Sequence, residues 1–508
     1  MELIEGSFLL RWMVRLLPVL YEKYRQSATY RVLSGLWSRV RSGGVWRFCT
    51  RPSALDQRLG ESVLLRGALW CLNLPSELLH RLYRKNPALC DGSRLLTLSE
   101  HGPLALLCCM AFAMLVTPNP RWNNLYGLAF AGAELLLFWI SGMRNPRRRF
   151  RLEGIPVWLV IFLLLRVLSA FWSRVPAESL RFVGFAVTSA VVLLVTVNTV
   201  ETEKQLMALL CAIAAGMAVN TLYAVYQRIT GVRVDRALTD VILNAGMPGR
   251  VFSFFENPNS YANLLVLFVP LLAVLPLSEK RTLPRLALLL LPLIGLLALV
   301  MTYSRSAWIA CAASIFLLVL LLRPRYAPLL VVLGMLLFPI LPKNITNRIL
   351  TAFMGDTSVA SRGFIYSGAL AVIAAAPLLG AGLGTAAARH AVYLAGGYAL
   401  FTTSYAHAHD IYLQICMESG VPALLSFLLA LLYVFQGGVR AARLPGASPR
   451  LRRLCAGFAA GLFASQLFGI TDYAWSYPRV MVLYWLFAGL MLAAARLARK
   501  QDREREDL

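Results

Sequence analysis

Between residues 104 and 497 the chain is built largely from apolar runs of near-spanning length: 104–117, 123–142, 155–172, 180–200, 206–226, 259–277, 284–301, 306–322, 326–341, 411–435, 455–471 and 479–497. A hydrocarbon layer about 30 Å thick is crossed by roughly 20 helical residues. Inside it every backbone N–H and C=O must be satisfied within the chain, which leaves helices as the solution for runs of this length. The pattern therefore predicts an all-α polytopic membrane protein of about twelve transmembrane helices. Composition agrees: 58% of residues are hydrophobic and 15% charged, against about 25% charged in an average soluble domain. A single soluble domain is excluded. So is disorder, which needs low hydrophobicity and high charge.

The chain carries 50 Lys and Arg against 25 Asp and Glu, a formal charge of +25. No basic stretch is interleaved with a recognisable nucleic-acid reader module, so nucleic acid is not an expected partner. The cations instead gather between apolar runs: Arg144, Arg147, Arg148, Arg149 and Arg151; Lys280, Arg281 and Arg285; Arg323 and Arg325; Arg440, Arg443, Arg450, Arg452 and Arg453; and Arg499, Lys500, Arg503 and Arg505 in the tail. If the twelve runs alternate sides, all of these clusters share one face. The positive-inside rule makes that face the cytoplasm, with both termini there.

Residues 1–100 read as a separate cytoplasmic region, a basic amphipathic extension. Arginines such as Arg11, Arg25, Arg39 and Arg58 alternate with Trp12, Trp37, Trp46 and Trp70, and no stretch is apolar for long enough to span. This suits helices lying on an anionic leaflet. No cleavable signal peptide is expected, since Arg11 and Arg15 interrupt the stretch Phe8–Leu20. The nine cysteines form no CxxC pair and read as buried small hydrophobes. Residues 101–508 then form the transmembrane domain, and alternation puts 227–258, the turn at 302–305 and the long segment 342–410 on the outer side. A connection of about 70 residues is uncommon and is usually functional or separately folded. Within it, Gly363–Leu379 is apolar enough to be an amphipathic or re-entrant helix on the outer face.

Four outward stretches hold candidate chemistry. In the first, Arg250 precedes Asn257-Pro258-Asn259, where Asn caps a helix and Pro suits its first turn. A helix N-terminus and a guanidinium facing one space favour an anion. In the second, Arg305 sits at the tight turn Thr302-Tyr303-Ser304, where a charge must be paired or face a wet cavity. The third is Ser361-Arg362-Gly363. The fourth is Tyr405-Ala406-His407-Ala408-His409-Asp410, with two of the five histidines in the chain. Histidine titrates near neutrality and serves as a general base. An HxH pair can also bind metal, but a site needs three or four ligands. His390 is the one other histidine of this loop, and the nearby carboxylates Asp356, Asp410, Glu256 and Glu418 include no DxD pair, so no metal and no cofactor are expected. Together the stretches suit a substrate with a diphosphate and a hydroxyl acceptor, with a lipid tail among the apolar spans.

At these motifs the chain resembles the O-antigen ligase and polymerase superfamily of bacterial envelope glycosyltransferases. The resemblance rests on Gly249-Arg250 with Glu256-Asn257-Pro258-Asn259, on Thr302-Tyr303-Ser304-Arg305-Ser306, on Ser361-Arg362-Gly363, and on His409-Asp410-Ile411-Tyr412-Leu413-Gln414 with Glu418-Ser419-Gly420, over roughly residues 200–435. It implies a GT-C-like fold with a large extracytoplasmic loop. It implies polysaccharide biosynthesis at the cell envelope: a saccharide passes from a polyprenyl diphosphate such as undecaprenyl diphosphate to a glycan, lipid or protein hydroxyl, with inversion and without metal. Carried onto matching positions, it makes Arg250 and Arg305 the diphosphate contacts and His409 the activator of the acceptor. Asn257, Asn259, Arg362, His407 and Asp410 are then substrate-binding candidates. The superfamily usually has Asn after this histidine; a carboxylate at Asp410 would orient the imidazole or favour its charged form, and His407 is a second candidate base. The alternative from another class is a transporter or flippase of an anionic lipid-linked saccharide, to which twelve spans and intramembrane arginines are also suited. Convergence of Arg250, Arg305 and His409 beneath the outer loop favours the enzyme, and scatter along a central path favours transport.

Overall fold

A computed structural model describes residues 21–44, 62–234, 247–350, 357–385 and 407–507, with isolated positions 16 and 19. Among the described residues all regular structure is helical, and each of the twelve apolar runs coincides with a helix. Before the bundle come α1 (Ala28–Ser42), α2 (Val63–Lys85), α3 (Pro87–Asp91) and α4 (Arg94–Ser99). The bundle begins with α5 (Gly102–Val116), α6 (Asn124–Ser141), α7 (Val157–Leu168), α8 (Pro176–Thr199) and α9 (Glu203–Thr230). It continues with α10 (Pro258–Val274), α11 (Thr282–Met301), α12 (Arg305–Leu322), α13 (Ala327–Leu337), α14 (Lys343–Leu350) and α15 (Thr357–Ala375). It closes with α16 (Ile411–Ala441), α17 (Pro449–Gly469) and α18 (Pro478–Glu506). Eight of these are long and apolar enough to cross a membrane, or up to nine if the sharply bent α13–α14 pair is one span. Helices α5 and α7 are apolar but shorter. The chain is a multi-pass membrane protein.

Contacts between connections sort the bundle into two ends. At one end Ser448 and Gln501 meet Glu203, Gly446 N–H donates to Asp502, and Arg453 donates to the Leu277 carbonyl. The basic clusters of the connections belong to this end. At the other end Arg479 donates to the carbonyls of Thr117 and Phe254, both at 2.7 Å, and Leu383 N–H donates to the Ser169 carbonyl. Helix α2 docks across the basic end: Asn73 exchanges hydrogen bonds with Phe150 N–H and C=O, and Trp139 Nε1 donates to the Leu72 carbonyl.

Helices α10 and α18 are the innermost, with 89% and 94% of their apolar stretches buried. Lipid tails are as apolar as leucine, so helices in a bilayer associate through close packing of small residues. Gly457 and Gly461 of α17 do this against α10, where a Cβ on Gly461 would lie 2.1 Å from the Leu267 carbonyl oxygen. The outer-loop helix departs from its expected limits. It ends at Ala375 rather than Leu379, since Pro377 lacks an N–H and disfavours helical backbone before it. The freed segment then pairs with α16. Gly461→Val is predicted to wedge α10 from α17 and to destabilise the purified protein by about 1–3 kcal/mol, read as a lower melting temperature in detergent.

Candidate active site

Three loops at the end opposite the basic clusters approach one another, and each is held by a residue in strained backbone. Ser253 (φ 53°), Tyr303 (φ 53°) and His409 (φ 49°) are the non-glycine residues with positive φ among the described residues. Such conformations cost about 1–3 kcal/mol and persist where surrounding structure enforces them, often at functional sites. The enforcing groups are visible. Gln227 of α9 accepts the Ser253 N–H at 2.8 Å and donates to the Ser253 carbonyl at 3.2 Å. Ser253 Oγ donates to the Asn220 carbonyl.

Arg250 is thereby pressed into the protein, with its Nε 2.7 Å from the Thr302 carbonyl and a terminal nitrogen 2.7 Å from Asn259 Oδ1. Thr302 belongs to the turn that leads into Arg305, the first residue of α12, so two candidate arginines share one scaffold. Asn257 caps α10 by accepting the N–H groups of Asn259 and Ser260, and its amide donates to the Tyr477 hydroxyl. Asn257 and Asn259 thus build the arginine's seat. A further cation, Arg348 of α14, is buried with Nε 3.5 Å from the Tyr303 carbonyl. Burial, opposed by Asp472 but reinforced by Arg348, Arg362 and Arg305, pushes the Arg250 guanidinium below its ordinary value. Three further guanidiniums therefore act on that of Arg250 here. Like charges gathered in a low dielectric repel strongly, and a bound anion relieves them.

The histidine loop faces this group. His409 Nδ1 lies 3.3 Å from Asp472 Oδ1, and the rings of His407 and His409 are 4.2 Å apart between centroids. His407 Nδ1 accepts the His409 N–H at 3.2 Å. Asp472 sits in the short connection between α17 and α18 and is buried. Burial alone would raise its carboxyl, but the hydrogen bond and charge of His409, with His407 and Arg362, pull it below the ordinary carboxylate range. Asp410 does something else. Its Oδ1 caps α16, accepting Tyr412 N–H at 2.7 Å and Leu413 N–H at 2.8 Å. Burial raises its carboxyl while these bonds lower it. The carboxylate on the imidazole is thus Asp472, not the neighbour in sequence. His407, His409 and Asp472 also offer three ligand atoms within 4.8 Å of one another, the minimum protein set of a catalytic metal site.

A buried chain of polar groups fixes the loop from behind. Ala408 N–H donates to Gln414 Oε1 (2.8 Å), Gln414 Nε2 to Glu418 Oε1 (3.0 Å), and Arg166 of α7 to Glu418 Oε2 (2.8 Å). Glu418 precedes a break in α16 at Gly420 (φ 82°), where a Cβ would lie 2.1 Å from the Leu378 carbonyl oxygen. Ala381 N–H and Gly382 N–H donate to the Met417 and Glu418 carbonyls across this break. Sequence reasoning missed Asp472, Arg348 and the Arg166–Glu418 pair; the scarcity of carboxylates at this end was the one signal pointing to Asp472. His390, Tyr405 and Asp356 lie outside the described residues.

Residues 287–428 match the model of the O-antigen ligase family. Over this stretch, less than half of the chain, the sequence is similar to that family. The O-antigen ligase region contains Arg305, Arg348, Arg362, His407, His409 and Glu418, while Arg250 and Asp472 come to it from outside. No curated protein matches the chain. The match suggests glycosyl transfer of the O-antigen ligase and polymerase type. Glu418→Leu is predicted to strand Arg166 and cost about 3–5 kcal/mol, whereas the pair Arg166→Met with Glu418→Leu recovers most of that loss; thermal unfolding of both purified variants decides it.

Proposed function

We propose that the protein transfers a saccharide from a polyprenyl diphosphate to a hydroxyl acceptor on the outer face of the plasma membrane, with about twelve spans and both termini in the cytoplasm. The observation that carries this reading is the meeting of the Arg250, Arg305, Arg348 and Arg362 charges with the His409–Asp472 pair at one end of the bundle. That end lies away from the basic clusters, which the positive-inside rule puts in the cytoplasm. Convergence at one mouth also disfavours the transporter reading, which needs polar groups along a central path.

In this mechanism Arg250 and Arg305 hold the diphosphate, and Arg348 adds charge behind them. Guanidiniums fixed before the reaction stabilise the negative charge that builds as the leaving group departs. His409 Nε2 takes the proton of the acceptor hydroxyl, while Nδ1 stays on Asp472. The acceptor oxygen bonds to the anomeric carbon as the bond from that carbon to the diphosphate oxygen breaks. The polyprenyl diphosphate leaves with the electron pair, and a single displacement inverts the centre. Asp472, held ionised, offsets the imidazolium that forms. No step needs a metal.

Purified protein given a polyprenyl-diphosphate saccharide and candidate acceptors tests this. Transfer should persist with chelator. Arg305→Ala should lower the rate about a hundredfold to a thousandfold, and His409→Ala by about a hundredfold or more. Full activity in either folded variant would refute the assigned roles, and loss with chelator that zinc restores would assign His407, His409 and Asp472 to a metal instead. Asp472→Asn removes the counter-ion of the protonated imidazole. The maximal rate should then fall while the protein stays folded; an unchanged rate would separate Asp472 from the histidine.

A further inference from the structure

The opposite end of the bundle encloses a polar cavity of about 750 Å³ that the transfer chemistry does not use. Its walls are the connection 142–156, the turn after α8 and the last turns of α18. Arg148 and Arg151 enter from the first wall, and Arg496, Arg499, Lys500 and Arg503 from the last. With Arg147 and Arg149, cations in the lining outnumber carboxylates eight to four. A concave site with an excess of one charge focuses its field and concentrates ions of the opposite sign.

The cationic wall is built into the fold. Arg496 donates to the Val197 and Val200 carbonyls at 2.7 and 2.9 Å. Asn198 accepts the Arg151 N–H at 2.9 Å and donates to the Arg151 carbonyl at 3.1 Å. Arg148 donates to the Glu100 carbonyl at 2.8 Å, yet its Nε is buried with no hydrogen-bond partner among the described residues. Buried donors are normally satisfied, so this one is suited to an added acceptor. Position adds a second constraint. Leu497 lines the cavity beside the cations, at the point where the apolar stretch of α18 gives way to Arg499 and Lys500. That is the level of lipid headgroups.

We propose that this cavity binds a phosphate-bearing anion, of the kind an anionic phospholipid presents at the cytoplasmic leaflet. The excess of four cations suits more than one phosphate, and the bound anion ties the end of α18 to the α6–α7 connection. The site lies at the far end of α18 from Asp472, so it is separate from the proposed transfer site.

Native mass spectrometry and melting temperature of the purified full chain test this with four probes: cardiolipin, phosphatidylglycerol, phosphatidylcholine and inorganic pyrophosphate. The expected result is saturable binding and stabilisation by a phosphate anion but not by phosphatidylcholine. R499Q/R503Q should weaken that binding by roughly tenfold or more, and R147Q/R151Q on the facing wall should do the same. R440Q/R443Q, at the same end but outside the cavity, should leave it unchanged. Selectivity for the anionic lipids over pyrophosphate identifies a headgroup as the source, and the reverse identifies a soluble phosphate. Equal affinity in wild type and both cavity variants, or equal loss in the R440Q/R443Q control, overturns the proposal. The readout is binding, so its failure leaves the transferase reading standing, and the converse also holds.

Discussion

A positive charge inside an apolar bundle must be held by something, and this protein holds its charges with backbone carbonyls and buried side chains. Arg250 rests on the Thr302 carbonyl and Asn259, Arg166 on Glu418, and Arg479 on the Thr117 and Phe254 carbonyls. Arg479 also stacks on Phe255, 4.2 Å from the ring centroid. Breaking such a pair leaves an uncompensated charge in a low dielectric, which costs far more than a surface ion pair yields. The described parts of the loops at this end are therefore held by electrostatic necessity as much as by packing. That is why strained turns at Ser253, Tyr303 and His409 can persist.

The same constraint joins fold to chemistry. The break in α16 at Gly420 exposes carbonyls that the glycine-rich segment 380–384 satisfies, and Glu418 at the break anchors Gln414, which holds the Ala408 N–H. His409 is thus placed by a helix defect several residues away. Its imidazole meets Asp472 from a third part of the chain. Each contribution is weak alone; a histidine or an arginine becomes a reagent when its neighbours fix its direction and charge.

Much of this was legible in one sequence because helices in lipid announce themselves by local composition. The twelve runs, the shared side of the basic clusters and the capping signal at Asn257-Pro258-Asn259 depend on residues adjacent in the chain. Arg250, Arg305 and His409 stood out because polar residues are rare beside such runs. What was hidden is tertiary. Asp472 lies 63 residues from His409, and Arg166 reaches Glu418 across 252 residues. Asp410 looked like the histidine's partner by adjacency, yet a side chain at a helix start caps the helix first. Arg348 joins the site only because α14 folds back onto Tyr303. The number of crossings is also a tertiary matter, because α5 and α7 are short and length alone does not decide whether a helix spans.

The most direct measurement is a structure determined by electron cryomicroscopy with a non-transferable polyprenyl-diphosphate saccharide bound. Phosphate density is expected within hydrogen-bond reach of the Arg250–Arg305 group, with the anomeric carbon facing His409 on the side away from the diphosphate. Density for the diphosphate elsewhere, along the middle of the bundle or at the basic end, would contradict it.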